Sequence, residues 1–422
     1  MIKTTQSLTS MMNLNHKVRE RSVANGLRVV GLISLLCIQS IFFAGEAGAQ
    51  SMGGDRFEKT LEEARVPAFK LAEPGIAQQL TSVGERFSEK IATIEDPAAL
   101  RQLALAAGLN LWEQARQRFQ AGAVPDDRPL YWQRLVVAPM IRARAKQLGF
   151  KPLVIAGVIS AFEQASRGQM DVLWTAPNAR RVLMTGFDPF SLDKNISQSN
   201  PSGAVALALD GQVFEVDGVM VEINAAVFPV RYPDFDAGVV ERWLTPHLSS
   251  GGLDLFVSVS MGRDQFDLER FPGRRRSSSA LGNLQEHTGG TAASPKPGLL
   301  DGKPLQGPEF VEFSLPAAVM QQAQGEFKIR DNHRVSTLEG GAFEAVNLAA
   351  LQGQTAVQGS GGGYLSNEIS YRSIRLANEL GVALPMGHIH TPRISGEDLD
   401  KRLGILAQVK EMILLAALEG PG

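Results

Sequence analysis

The sequence predicts an α/β fold, a three-layer α/β/α arrangement around a mostly parallel sheet, preceded by an all-helical N-terminal region. Two observations carry this. From residue 179 onward, short apolar runs alternate with amphipathic helical patterns, the order that builds strand–helix–strand units and a helix-covered sheet. Before that point, residues 50–178 repeat apolar positions at helical spacing and carry no strand pattern.

In chain order, Lys17, Arg19, Arg21 and Arg28 precede an apolar run over 29–38 that continues through Ile41-Phe42-Phe43, and Ala47-Gly48-Ala49 follows. Basic residues, an apolar stretch and small residues at both positions read by a signal peptidase predict a secretory leader over 1–49, cleaved after Ala49. The apolar run falls short of the roughly 20 residues a membrane span needs. The expectation is therefore a secreted or periplasmic protein that meets the membrane only transiently. The one cysteine, Cys37, lies in that leader, so the mature chain holds no disulfide and no thiol ligand.

Helices are expected over 58–65, 75–94, 97–119, 130–148 and 153–167. Asp96-Pro97 supplies an N-cap followed by proline at the first helical position, and Pro125-Asp126-Asp127 breaks the pattern. Glu62-Glu63 and the Arg142-Arg144-Lys146 cluster read as solvated faces. These residues, 50–178, form a helical domain or arm with no catalytic constellation. Beyond it, strands are expected over 181–185, 219–230, 253–260, 354–358 and 384–391. Helices are expected over 233–248, 364–380 and 397–418, the last capped by Ser395. The stretch 271–310, rich in Gly, Ser, Pro and Arg, reads as a long, mobile surface loop inserted into the α/β domain of 179–422. In sheets of this kind functional residues sit just past strand ends, which directs attention to the loops at 186–202, 261–275, 359–366 and 390–395.

Composition excludes several classes. Of 422 residues, 44% are hydrophobic and 20% charged, and 42 Lys plus Arg against 44 Asp plus Glu give a net charge of −2. A chain this apolar is not disordered as a whole, and its charge supplies no global field for nucleic acid. Arg274-Arg275-Arg276 are too few for a polybasic site. The Gly-rich stretch 359–363 lacks the Lys-Ser/Thr of a phosphate-binding loop. His388 and His390 alternate along one strand and share a face, but with no cysteine, and with His247, His287 and His333 in unrelated contexts, neither a metal nor a cofactor is expected.

Four blocks are more specific. Thr185-Gly186-Phe187-Asp188-Pro189-Phe190 closes the first strand, with Asn200-Pro201-Ser202 soon after. Met261-Gly262-Arg263 follows a buried strand and leads to Leu268-Glu269-Arg270. Gly363-Tyr364-Leu365-Ser366-Asn367-Glu368 opens a helix, and Gly387-His388-Ile389-His390-Thr391-Pro392 ends the last strand. Taken alone, Ser366 is a plain helix-start serine, Glu269 a salt-bridge partner of Arg270 or Arg263, His388 a packed histidine, Glu368 a helix-face residue, and Phe187 and Phe190 plugs beneath a strand end. Together and in this order, the blocks resemble the pyroglutamyl peptidase type I (pyrrolidone carboxylate peptidase) family over 179–422, and Phe313-Ser314-Leu315-Pro316 is similar to a further segment of it.

That resemblance implies removal of N-terminal pyroglutamyl groups by a Cys-His-Glu arrangement. Glu269 and His390 match the glutamate and histidine, and Phe187 and Phe190 match the phenylalanines of the lactam pocket. Asn200, Gly262 and Arg263 belong to the blocks around that pocket and are expected to bind substrate. Ser366 falls where the family has its nucleophilic cysteine. Val259 stands where the family usually has glutamine, and after Phe271 the family's Asn-Val-Asp-Asp segment has no counterpart. A serine must lose its proton to the base as it attacks, so Ser366, His390 and Glu269 would act as a Ser-His-Glu triad. The resemblance thus implies a small peptide or lactam substrate and the homo-oligomers common in the family. Two alternatives stay open: a silenced member serving as a binding or regulatory module, and an envelope interaction protein acting through the helical region.

Overall fold

The computed structural model describes residues 18–20, 59–122, 126–395 and 398–419. The expected leader and its cleavage point fall outside the described residues, apart from the short strand β1 (Val18–Glu20). Among the described residues no helix is long and apolar enough to cross a membrane.

The N-terminal region is helical. Thr60 and Glu63 close a capping box on α1 (Leu61–Ala64). The next helices are α2 (Val66–Ala72), α3 (Pro74–Ala92), α4 (Pro97–Gln120), α5 (Arg128–Gln147) and α6 (Pro152–Ala165). The Asp96 carboxylate accepts from the amides of Ala98 and Ala99, with Pro97 in the first position, as the sequence predicts. The solvated faces expected at Glu62-Glu63 and Arg142 are a correction. All three are buried. Glu63 receives the Arg142 guanidinium, and Glu62 receives the Tyr131 hydroxyl at 2.9 Å and Arg231 at 2.7 Å. Burial of carboxylates is tolerable only with such partners, and these lie far along the chain.

The main sheet is built from β2 (Arg180–Phe187), β3 (Gln212–Val216), β4 (Val219–Phe228), β5 (Leu255–Met261) and β6 (Phe266–Glu269), with β1 at one edge. Helices α7 (Pro201–Leu209), α8 (Tyr232–Asp236) and α9 (Val239–Ser249) connect them. The expected helix over 233–248 divides into α8 and α9 at Gly238, whose φ of +76° suits only glycine. The stretch 271–310 carries two short pieces of pairing, β7 (Arg275–Arg276) with β8 (Lys296–Pro297), and β9 (Leu299–Leu300) with β10 (Lys303–Pro304).

Next come α10 (Ala317–Met320), β11 (Ile329–Asn332), β12 (Arg334–Thr337), β13 (Gly341–Glu344), a 3-10 turn over Leu348–Leu351, and β14 (Ala356–Gln358). The expected strand at 354–358 is therefore real but belongs to a separate antiparallel sheet, β13-β12-β14. The chain ends with α11 (Leu365–Leu380), β15 (Met386–Thr391) and α12 (Leu399–Glu419). The Asp398 side chain, rather than the expected Ser395, accepts from the Lys401 amide in the first turn of α12.

The main sheet runs β1-β3-β4-β2-β5-β15-β6-β11. Strands β4, β2, β5 and β15 are parallel, as are β6 and β11, whereas β15 meets β6 antiparallel. The chain leaves β2 toward β4 on one side and then crosses to β5 on the other. With right-handed crossovers, that reversal puts α7 on one face and α9 and α11 on the opposite face. It also makes the carboxyl ends of β2 and β5 the switch point where such sheets bind ligands. One continuous core holds apolar residues from α3–α6 and from the sheet together. Trp112 on α4 donates to Asp210 at the end of α7 at 3.1 Å.

Candidate active site

The carboxyl ends of β2, β5 and β15, with the start of α11, converge at the switch point. His390 is on β15, its Cα in register with Ser260 of β5. Because β6 runs antiparallel to β15, Glu269 arrives beside it from the opposite direction. Its Oε1 lies 2.5 Å from His390 Nδ1, and Oε2 accepts from Asn332 Nδ2 at 2.7 Å. Asn332 is the in-register neighbour of Glu269 on β11 and also donates to the Ser360 carbonyl at 3.0 Å. Burial pushes the Glu269 carboxyl above its usual range, while His390 opposes that shift. The carboxylate fixes Nδ1 as the protonated nitrogen and leaves Nε2 without a partner among the described residues, the state needed in a general base. Gly262 is required beside it: a methyl there would stand 2.8 Å from His390 Cβ.

Ser366 is the second residue of α11, after the turn 359–363. Its hydroxyl donates to the Gly361 carbonyl at 3.4 Å, so the direct bond to His390 expected of a triad is not made. Gly361 lies beside the imidazole: a methyl there would be 3.5 Å from His390 Cε1. The turn is pinned by Asn367, whose side chain accepts from the Gly273 amide at 2.9 Å and donates to the Gly273 carbonyl at 2.7 Å. The first turn of α11 has no side-chain cap, so its first amides lie outside the helix's own bonds.

The substrate-side residues divide. Phe187 is 3% exposed and stacks on Phe235 at 6.3 Å, which makes it a core plug rather than the slot wall expected. Phe190 is half-buried and lies 6.3 Å from Tyr364, which meets Tyr232 edge-on at 5.6 Å. The aromatic wall is therefore Phe190 with Tyr364, backed by the buried Tyr232. Asn200 is a correction as well: its amide caps α7 through Ser202 and donates to the Asp188 carbonyl at 3.0 Å, which shapes the loop. Arg263 is exposed, its carbonyl accepting from the Arg393 amide at 2.6 Å. Val259 is fully buried in the core and offers no polar group.

Three features add to the sequence reading, the first being how His388 is packed. His388 is sealed between Ser258 and Ser260, each 2.7 Å from one ring nitrogen, and its ring meets His390 edge-on at 4.7 Å. Ser258 also donates to the Gly387 carbonyl at 3.3 Å. All three contacts are satisfied only if Nδ1–H donates to Ser258 and Nε2 accepts from Ser260. Burial pushes this imidazole well below its ordinary pKa, so it stays neutral. Second, 271–310 is not a free surface loop. Arg276 is buried, bonded to Glu368 at 2.6 and 2.7 Å and to Asp236 at 2.7 Å, while Arg274 and Arg275 both pair with Glu309. Glu368 is accordingly a buried ion-pair partner, not a helix-face residue. Third, the loop after β2 is tied to the helical region through Asp188. Among the described residues no group of three His, Cys, Asp or Glu side chains is placed to hold a metal ion.

Residues 46–163 match the family model of the PA0049 N-terminal domain, and residues 181–301 with 344–395 match that of the PA0049 C-terminal domain. Both parts of the chain are similar to one protein, PA0049. Uncharacterized protein PA0049 of Pseudomonas aeruginosa is 28% identical over 411 residues, covering 76% of this chain and 73% of its own. The gap between the two PA0049 matches, 164–180, runs from the end of α6 to the start of β2. The interruption at 302–343 in the PA0049 C-terminal match takes in α10, β11 and β12, and hence Asn332. Among solved structures, a mutant pyrrolidone carboxyl peptidase from Pyrococcus furiosus aligns with 57% of this chain and 99% of its own at 20% identity, with a TM-score of 0.40. Pyroglutamyl peptidase I from Bacillus amyloliquefaciens aligns with 57% of this chain and 96% of its own at 17% identity, with a TM-score of 0.39.

Proposed function

We propose that this protein is an exported hydrolase that removes N-terminal pyroglutamyl groups, or cleaves related small lactams and amides, with serine in place of cysteine as nucleophile. The observation that carries the reading is the buried Glu269 carboxylate on His390 Nδ1 at 2.5 Å, beside the glycine turn that delivers Ser366. Ser366 attacks the carbonyl carbon as its proton passes to His390 Nε2. The resulting imidazolium is stabilised by Glu269 and returns that proton to the leaving amine, and water then releases the acyl group by the reverse sequence. Amides at the start of α11 receive the oxyanion, and the Phe190–Tyr364 wall takes the ring of the substrate.

A second reading has its own support. The Ser366 hydroxyl is turned to the Gly361 carbonyl instead of the imidazole, which favours a silenced member that binds pyroglutamyl groups without turnover. A pyroglutamyl-anilide reporter separates the two. Turnover by the wild type that disappears in Ser366→Ala supports the hydrolase. Turnover appearing only in Ser366→Cys supports the silenced site. No turnover and no pyroglutamate binding in any of the three proteins ends both.

A further inference from the structure

The helical region reaches the loop after β2 at several points. Asp188 stands between the two aromatic positions of that loop and is 3% exposed. Arg134 of α5 bonds its Oδ1, and Arg167, just past α6, places Nε and Nη2 on its Oδ2, each at 2.9 Å. Asp127, at the start of α5, accepts from the Ser199 hydroxyl at 2.7 Å and from the Asn200 amide at 3.0 and 3.1 Å. Arg128 donates to the Ser197 carbonyl at 3.2 Å. Arg65 chelates Asp193 at 2.7 and 2.8 Å and donates to the Asn283 carbonyl at 2.6 Å, while Asn283 Nδ2 holds the Pro189 carbonyl at 2.8 Å. From 188 to 200 the loop is anchored from outside its own domain.

We infer that the helical region is the positioning device of the substrate slot, and that Arg134 and Arg167 are positioning residues acting through Asp188 on Phe190. This rests on the reading of the site as a pyroglutamyl or lactam slot. The physical reason is the sharing of one buried carboxylate between two guanidinium groups, Arg167 on Oδ2 through Nε and Nη2 and Arg134 on Oδ1 through Nη2. Each carboxylate oxygen is held by its own charge-assisted contact, so the group is fixed from two sides of the helical region at once and the loop cannot swing as a unit. The Asp188 position is also well chosen: it lies next to Pro189, whose ring fixes one backbone angle, and two residues before the exposed side of the wall at Phe190. A lysine at 134 would keep the charge and lose the guanidinium Nη2 that reaches Oδ1.

The test uses the full chain as wild type, Arg134→Lys, Asp188→Asn and, as a control, Arg144→Lys. Arg144 lies on the same helix α5 but caps the Ile94 carbonyl at 2.8 Å, away from the loop. The readouts are KM and kcat on the pyroglutamyl-anilide reporter, and hydrogen exchange of the amides at 187–199 in the folded protein. We expect Arg134→Lys and Asp188→Asn to raise KM about tenfold or more with kcat changed less. Exchange in 187–199 should rise about tenfold in both, with Arg144→Lys within about twofold of wild type on every readout. Unchanged exchange at 187–199 in both loop variants, or equal effects in Arg134→Lys and Arg144→Lys, overturns the inference. If the wild type turns over no reporter, the functional reading has failed, and the exchange comparison alone decides this one. If one loop variant does not fold, the other decides.

Discussion

Glu269 and His390 face each other across the single antiparallel junction, β6 against β15, inside the otherwise parallel centre of the sheet. A parallel neighbour would have its own carboxyl end at the site and its side chains in step with β15. The reversed strand instead delivers a carboxylate to the imidazole from the opposite direction, with β11 behind it to bind the second oxygen through Asn332. Glu269→Gln keeps the size of the side chain and removes the charge that stabilises a protonated His390. If the site is a hydrolase, reporter kcat is expected to fall by about 10²–10⁴-fold, with the far-ultraviolet spectrum and unfolding transition retained. A kcat within a fewfold of wild type would remove Glu269 from the mechanism.

Gly262 offers a second handle on the same imidazole. A methyl at that position meets His390 Cβ at 2.8 Å and the Thr391 carbonyl at 3.0 Å, contacts that backbone on two adjacent strands cannot both relieve. Gly262→Ala should therefore shift the end of β15 by a few tenths of an ångström and misplace Nε2. The expectation is a stability loss of about 1–3 kcal/mol together with a disproportionate fall in kcat, on the order of 10²-fold. Chemical denaturation and reporter kinetics on one preparation measure both, and a loss confined to stability would show that the imidazole tolerates displacement.

Asp210 ties the two parts of the molecule together and carries a pH signature. It accepts from Trp112 Nε1 at 3.1 Å and from the Ala225 amide at 2.8 Å, with Arg116 at 3.8 Å. Burial nonetheless raises its pKa to about 7. A carboxyl raised on folding contributes stability that is fully present below its unfolded pKa and lost as pH rises through the folded value. Wild-type stability relative to Asp210→Asn should therefore fall between about pH 4 and pH 7, by an amount on the order of 4 kcal/mol for a shift of this size. Denaturant titrations of both proteins across that range check the sign. A difference that grows with pH would contradict it.

Much of this architecture was legible in the sequence because it is written locally. Asp96-Pro97 caps α4 by its own side chain, and the strand–helix alternation after 179 needs only periodicity. The four blocks around Phe190, Glu269, Ser366 and His390 could be singled out for a different reason, since each sits at the end or the start of an element. What escaped was written non-locally. Glu63 and Arg142 look solvated until folding joins them, and Arg276 looks like part of a mobile loop until Glu368 and Asp236 enclose it. His388 looks inert until Ser258 and Ser260 are seen on the neighbouring strand. Phe187 and Phe190 share a motif, yet one plugs the core and the other lies half-buried against Tyr364, a difference that the motif alone does not encode.

The helical region also makes a prediction about folding itself. Trp112, Leu111, Phe162 and Val158 belong to the same buried cluster as Val182, Val205 and Val227, and Gly168 lies against the Trp112 ring, where a methyl would sit 2.5 Å from it. Residues 179–422 expressed alone would expose that apolar face. They would also leave Asp188 without Arg134 and Arg167, so the loop after β2 loses its anchors. Against a typical net stability of about 5–15 kcal/mol, these losses together are decisive. The truncated chain is expected to lack a cooperative unfolding transition and to bind a hydrophobic dye, whereas the chain from 59 onward unfolds cooperatively. Calorimetry and dye fluorescence on the two chains check this. A truncated form that unfolds cooperatively would show that the helical region is an attachment, and would return it to the role of a docking arm.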